Sequence, residues 1–188
     1  MLGINQRFPQ FSGVAVSAAH VQGLNVSNAF EHINNESFAG KWLVMFFYPK
    51  DFTFVCPTEI AGFSELVDEF ASRNAEIVAT SVDSEFTHWA WRKYNPALAD
   101  LRFRMYADVR RDLSASLGIL DHTAGVSNRA VYIVDPEGYI KFVMVTDINV
   151  GRNPSEVLRV LDALQSGELC PCSWSKGKQT IDLSKETV

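Results

Sequence analysis

The three cysteines are the residues of this chain best suited to chemistry. Cys56 stands in "FFYPKDFTFVCPTE" (46–59), and Cys170 and Cys172 stand in "GELCPCSW" (167–174). A thiol that ionises becomes a nucleophile, a metal ligand and a reductant. Cys56 sits where an apolar, strand-like run passes through a loop into a helix. At a helix N-terminus the first backbone N–H groups have no intrahelical partner and the macrodipole is positive, which favours an anion. Pro57 suits that turn, where a missing N–H costs nothing. Thr53, three residues before Cys56, can aim a hydroxyl at whatever the sulfur attacks. The competing reading of an isolated cysteine is a buried small hydrophobe, and helix placement alone leaves the two equally open. "TFVC" supplies one thiol, not the pair of a C-x-x-C motif.

Cys170 and Cys172 lie far downstream as a C-x-C pair. Such a pair can bind copper or zinc, but zinc takes about four ligands and no histidine or third cysteine is near. The two could instead bond to each other across a tight loop, or stand idle in a tail. His20, His32, His88 and His122 are scattered without metal spacing and read as solvent-facing or hydrogen-bonded. Phe86, Trp89 and Trp91 read as core or interface aromatics, since no basic groove accompanies them. "GVSNRA" is not a P-loop, and no G-x-G-x-x-G follows a strand, so neither cofactor nor metal is expected. Reducing power must then come from another protein.

The elements that must position these residues follow from periodicity. "WLVMFFY" (42–48) has the continuous apolar character of a strand buried on both faces. From about Val55 to Arg73 one helix is expected, with Ile60, Phe63, Val67 and Phe70 at three- and four-residue steps and Glu59, Glu65, Asp68 and Glu69 between them. "AEIVATSV" (75–82) is a second buried strand, and Ser84 caps a helix carrying "EFTHWAWRKY". A short strand near 104–108 and a short helix closed by Gly118 follow. "RAVYIVDPEGYIKFVMV" (129–145) predicts a β-hairpin turning at Pro136 and Gly138. Asn153, Pro154 and Glu156 predict a capped helix start with a capping box, and Val157, Leu158, Leu161 and Leu164 its apolar face. Beyond Gly167 periodicity is lost, and "KGKQTIDLSKETV" (176–188) predicts a mobile polar tail. The alternation implies an α/β fold with a mostly parallel central sheet, to which the hairpin adds an antiparallel pair.

Bulk properties set the outer limits. The chain has 188 residues, 47% hydrophobic and 21% charged, with a formal net charge of −5. That suits one domain with its own core. The acidic balance and the lack of a polybasic run argue against nucleic-acid binding. No apolar run approaches the ~20 residues of a membrane span. "MLGINQRFPQF" lacks the basic and apolar regions of a signal peptide, so a cytoplasmic location is expected. An odd, widely spaced set of cysteines in a reducing compartment reads as redox chemistry before structural disulfides.

"FFYPKDFTFVCPTE" closely resembles the active-site signature of the typical two-cysteine peroxiredoxins, with Pro49, Thr53 and Cys56 in P-x-x-x-T-x-x-C order. "SVDSEFTHWAW", "NRAVYIVDPEG", "VGRNPSEVLRVLDALQ" and "GELCPCSW" resemble further blocks of that family in the same order, nearest to its bacterial alkyl hydroperoxide reductase branch. The resemblance implies a thioredoxin-like fold, a central mixed sheet flanked by helices, with a peroxidase domain over 1–166 and a C-terminal tail over 167–188. It implies that Cys56 attacks hydrogen peroxide or organic hydroperoxides and becomes a sulfenic acid. Pro49 would shield the pocket, Thr53 would hydrogen-bond the peroxide, and Arg129 would hold both thiolate and peroxide. Glu59 and Arg152 would brace Arg129. Read as residues alone, these three suggest only a surface salt bridge, worth about 0–1 kcal/mol.

The family's resolving cysteine falls on Cys170, which would form an intersubunit disulfide with Cys56. Cys172 departs from the family pattern of a single tail cysteine and stands as an auxiliary thiol or an alternative resolver. The implied partners are a peroxide substrate, a thioredoxin-like protein or dedicated reductase as thiol donor, and a second copy in a homodimer that assembles into a ring such as a decamer. The Gly-Gly-Leu-Gly loop and C-terminal Tyr-Phe element of over-oxidation-sensitive relatives are absent from the sequence, which implies resistance to sulfinic inactivation. A chaperone surface would not require Thr53 and Arg129, a dithiol oxidoreductase would carry C-x-x-C, and a copper-binding C-x-C protein would retain metal and consume no peroxide.

Overall fold

The structure, a computed structural model, describes residues 1–185. Its centre is one seven-stranded sheet of β1 (Ser12–Val16), β2 (Phe30–Asn34), β3 (Trp42–Phe47), β4 (Ala75–Ser81), β5 (Arg104–Ala107), β6 (Arg129–Val134) and β7 (Ile140–Thr146). The spatial order is β7-β6-β3-β4-β5-β1-β2. Only β3–β4 and β4–β5 are parallel; the other four neighbouring pairs are antiparallel. The sheet is therefore mixed, and the expectation of a mostly parallel sheet is corrected. The two N-terminal strands were not anticipated. Each has five residues, and neither carries a long apolar run or a clean alternation.

β3 forms the spine because both of its faces are apolar. Val44, Phe46 and Tyr48 turn to one face, with Ile60, Phe63, Phe70, Trp91, Val157 and Leu161. Leu43, Met45 and Phe47 turn to the other, with Phe8, Phe38, Leu113 and Leu117. The period of two along a strand separates one run into two cores. Phe46 stacks on Phe63 with centroids 4.2 Å apart.

The helix expected over 55–73 is two helices, α1 (Cys56–Glu65) and α2 (Val67–Ala71). At Leu66 the backbone leaves helical geometry, and its N–H bonds to the carbonyl of Phe63, a tightened last turn. α3 (Glu85–Tyr94) starts at Ser84, whose side chain accepts from Thr87 N. α4 (Asp112–Leu117) ends at Gly118, with φ +71. The 129–145 hairpin forms and turns through Gly138, with φ +88.

α5 (Pro154–Ser166) lies over the face that holds Val157 and Leu161. Its expected capping box is absent. Asn153 accepts from Ser155 N, while Glu156 is occupied by two hydrogen bonds from Arg159. Past Gly167 the described part of the tail folds back on α5. Trp174 is buried, its Nε1 donates to Lys178 O, and its carbonyl accepts from Arg159. The mobile tail expected over 176–188 includes positions 186–188, which lie outside the described residues. Among the described residues no helix is long and apolar enough to cross a membrane.

Candidate active site

Cys56 is the first residue of α1, 1% exposed, with Pro57 beside it in the first turn. No side chain caps this end of the helix; Pro57 has no N–H, and the N–H groups of Thr58 and Glu59 donate to Val55 O. One guanidinium nitrogen of Arg129, Nη1, lies 3.4 Å from Cys56 Sγ. Arg129 starts β6, the strand beside β3, so the sheet brings together two residues far apart in sequence. Its Nε donates to Ile148 O at 2.6 Å, and Nη1 also donates to Glu59 Oε2 at 2.6 Å. The cation is thus fixed on two sides with the sulfur on a third.

Glu59 sits one turn after Cys56 on the buried face of α1, 3% exposed. Its Oε1 accepts from Arg152 N at 2.8 Å and from Arg152 Nε at 2.7 Å, and its Oε2 from Arg152 Nη2 at 3.0 Å. Arg152 Nη1 donates to Ala130 O. Burial opposes the charge of Glu59. The hydrogen bonds and positive charge of Arg152, with Arg129 behind it, outweigh burial and hold the carboxyl below the usual carboxylate range. The surface-salt-bridge reading of these three residues is therefore corrected: all three are buried. The positions of Ile60 and Phe63 on α1 place Glu59 on the same face, and the sheet closes over it.

Pro49 is buried at the exit of β3. Thr53 is half-buried, and its hydroxyl donates to Lys50 O at 2.9 Å. That bond uses the hydroxyl proton and leaves the oxygen's acceptor capacity free. The tail thiols are not part of this cluster. Cys170 Sγ lies 3.3 Å from Ser166 Oγ and 3.9 Å from Ala163 O, at the C-terminal end of α5. Arg152, which reaches Glu59, precedes the N-terminal end of the same helix. The 13 residues of α5 span about 20 Å at 1.5 Å per residue. Cys172 is exposed, and none of the three sulfurs is bonded to another. Among the described residues no group of three His, Cys, Asp or Glu is arranged to hold a metal.

Residue spacing did not reveal Tyr48, Asp51 and His88, which meet in the interior beneath the 49–55 loop. Asp51 and His88 are far apart in sequence, and no local pattern links them.

The AhpC/TSA family model matches residues 4–143. The chain belongs to the AhpC/TSA family. It is 48% identical over 185 residues to alkyl hydroperoxide reductase C of Mycobacterium tuberculosis, covering 97% of this chain and 94% of that relative. The mitochondrial thioredoxin-dependent peroxide reductase of Mus musculus is 40% identical over 185 residues, covering 95% of this chain and 68% of the mouse protein. The solved structure of Mycobacterium tuberculosis AhpC superposes with a TM-score of 0.86 at 47% identity, covering 93% of this chain and 99% of that one. The thioredoxin-like peroxiredoxin fold expected from the sequence is thereby established.

Proposed function

We propose that this chain is a peroxiredoxin-type thiol peroxidase that reduces hydrogen peroxide and organic hydroperoxides for antioxidant defence, with Cys56 as the attacking thiol. The observation that carries this reading is the buried Arg129 guanidinium 3.4 Å from a thiol at an uncapped helix start. The Cys56 thiolate attacks one peroxide oxygen, an S–O bond forms, and the O–O bond breaks. The departing alkoxide or hydroxide takes a proton and leaves as alcohol or water, and Cys56 becomes a sulfenic acid. Arg129 meets both the thiolate and the charge developing on the leaving oxygen. Thr53 orients the peroxide, Pro49 closes the pocket, and Glu59 with Arg152 holds Arg129 in place.

Cys170 then attacks the sulfenic sulfur, an S–S bond forms, and water leaves. The position of Cys170 at the far end of α5 supports a partner subunit as the source of this thiol, and hence a homodimer that can build into a ring. Local opening around Cys56 is required for the sulfurs to meet. A protein dithiol reduces the disulfide; the murine relative is by name thioredoxin-dependent. A reducing cytoplasm fits this chemistry.

The test is a set of single variants. Cys56→Ser is expected to abolish peroxide consumption while circular dichroism stays unchanged; turnover at the wild-type rate would sink the assignment. On non-reducing gels, peroxide is expected to produce a reducible dimer that requires both Cys56 and Cys170. Full crosslinking of Cys170→Ser, lost instead in Cys172→Ser, transfers the resolving role to Cys172.

A further inference from the structure

The loop that carries Pro49 and Thr53 is fastened to the interior by a polar cluster that the chemistry above does not use. Asp51 is at its centre. Its Oδ1 accepts from the Tyr48 hydroxyl at 2.7 Å, and its Oδ2 lies 2.7 Å from His88 Nδ1. The Asp51 backbone N–H donates to Asp83 Oδ2 at 2.8 Å, and Ser81 Oγ donates to the same oxygen at 2.7 Å. His88 Nε2 faces the carbonyl of Tyr106 at 3.3 Å. Both ring nitrogens thus face oxygens that accept. Nδ1 also lies 3.3 Å from the Tyr48 hydroxyl, whose proton the shorter bond to Asp51 takes, and a doubly protonated imidazolium gives each ring nitrogen a proton to donate. With the ring protonated, Asp51 and His88 form a buried ion pair, and the His88 ring is fully enclosed. The local charges act in the same direction. Burial works against His88's charge, but Asp51, with Asp83 behind it, raises the ring above its ordinary value.

The next residue strengthens the case. Phe52 has φ +55, a left-handed conformation that a bulky side chain adopts only where its surroundings impose it. Its ring packs on Trp91 at 5.9 Å and on Tyr94 at 5.8 Å. His88, Trp91 and Tyr94 recur at three-residue steps along α3, so consecutive loop residues, Asp51 and Phe52, grip one face of a single helix. Breaking a buried ion pair by removing one partner is costly because the other charge is left uncompensated. Opening the loop therefore requires either parting this pair or carrying it along.

We propose that Asp51, clamped by His88 and Tyr48, is the positioning residue of the active loop. The clamp sets how much of the time the 49–56 segment is closed around Cys56 and how readily it opens. What the clamp is for rests on the peroxidase reading; its existence does not. A weakened clamp leaves Thr53 and Cys56 less often in the arrangement that meets peroxide and exposes Cys56 more often for disulfide formation.

The experiment is hydrogen–deuterium exchange on the reduced full-length chain, comparing wild type with His88→Gln and with the milder Tyr48→Phe. Alongside it, the rate with hydrogen peroxide and the rate of disulfide formation are measured. Exchange across 49–56 is expected to rise at least tenfold in His88→Gln and several-fold in Tyr48→Phe, while 43–47 and 77–81 stay within twofold. The peroxide rate should fall and disulfide formation should quicken in the same order of variants. If His88→Gln does not fold, Tyr48→Phe decides alone. Unchanged loop exchange overturns the clamp, as does a rise spread equally over the core strands. A looser loop with an unchanged peroxide rate overturns the positioning role. If the wild type consumes no peroxide, the peroxidase reading fails, and the exchange data still decide the clamp.

Discussion

Glu59→Gln is the most informative single change, because one carboxylate balances two buried guanidinium groups. In the native protein its two oxygens accept four hydrogen bonds, three from Arg152 and one from Arg129. Glutamine keeps the shape but turns one acceptor into an N–H donor that faces the arginines. It also removes the one negative charge between them. Removing one partner of a buried pair costs about 3–5 kcal/mol, most of it from the charge left behind. For a chain of this size each kcal/mol lowers Tm by about 2–4 °C. The expected loss is therefore on the order of 10 °C under reducing conditions. Urea unfolding of the reduced protein should show the same loss at unchanged m-value. The peroxide rate should fall as well, because Arg129 loses the bond that holds Nη1 beside Cys56. A double-mutant cycle with Arg152→Met should show coupling well above the ~0.3–0.5 kcal/mol seen for independent sites. Stability within about 1 kcal/mol of wild type, with additive effects in the cycle, would refute the claim that these residues act as one buried unit and restore the surface-salt-bridge account.

Other outcomes follow from single contacts. Phe63→Ala removes the ring stacked on Phe46 and should cost about 3–5 kcal/mol in chemical denaturation. Asn153→Ala removes the side-chain cap of α5 and should cost about 1 kcal/mol, with little change in the peroxide rate. Trp174→Ala should release the tail turn held by Arg159 and Lys178, seen as faster alkylation of Cys170 while α1 exchange stays the same. Stability should also bend with pH at both ends. His88 faces Asp51 and Tyr48 from the loop, Asp83 from the turn before α3 and the Tyr106 carbonyl from β5, and its folded value is raised. Its contribution is complete below about pH 6.5 and is lost as pH rises through the raised value, so His88→Gln should flatten the alkaline limb of a urea-midpoint profile. The folded value of Glu59 is lowered, so its contribution is present above about pH 4.3 and lost as pH falls through the lowered value. Glu59→Gln should flatten the acid limb.

The sequence alone determined whatever depends on neighbours along the chain. The apolar run at 42–48 had the character of a strand covered on both faces, and Ser84, Gly118 and Pro154 marked helix boundaries through backbone effects that act over one turn. Cys56 was placed at a helix start by the same local physics, and the family resemblance named its companions. Tertiary structure decided what depends on distance. Arg129 and Arg152 changed from surface charges to a buried pair because β6 lies beside β3 and closes over one face of α1, which no spacing records. The sheet became mixed because β6 pairs antiparallel with both β3 and β7 and the short N-terminal strands join the far edge antiparallel. Asp51 and His88 met because the loop and α3 fold onto each other. A charge in water is worth little, and the same charge in a closed interior is worth several kcal/mol. Only the fold decides which of the two each charged residue becomes.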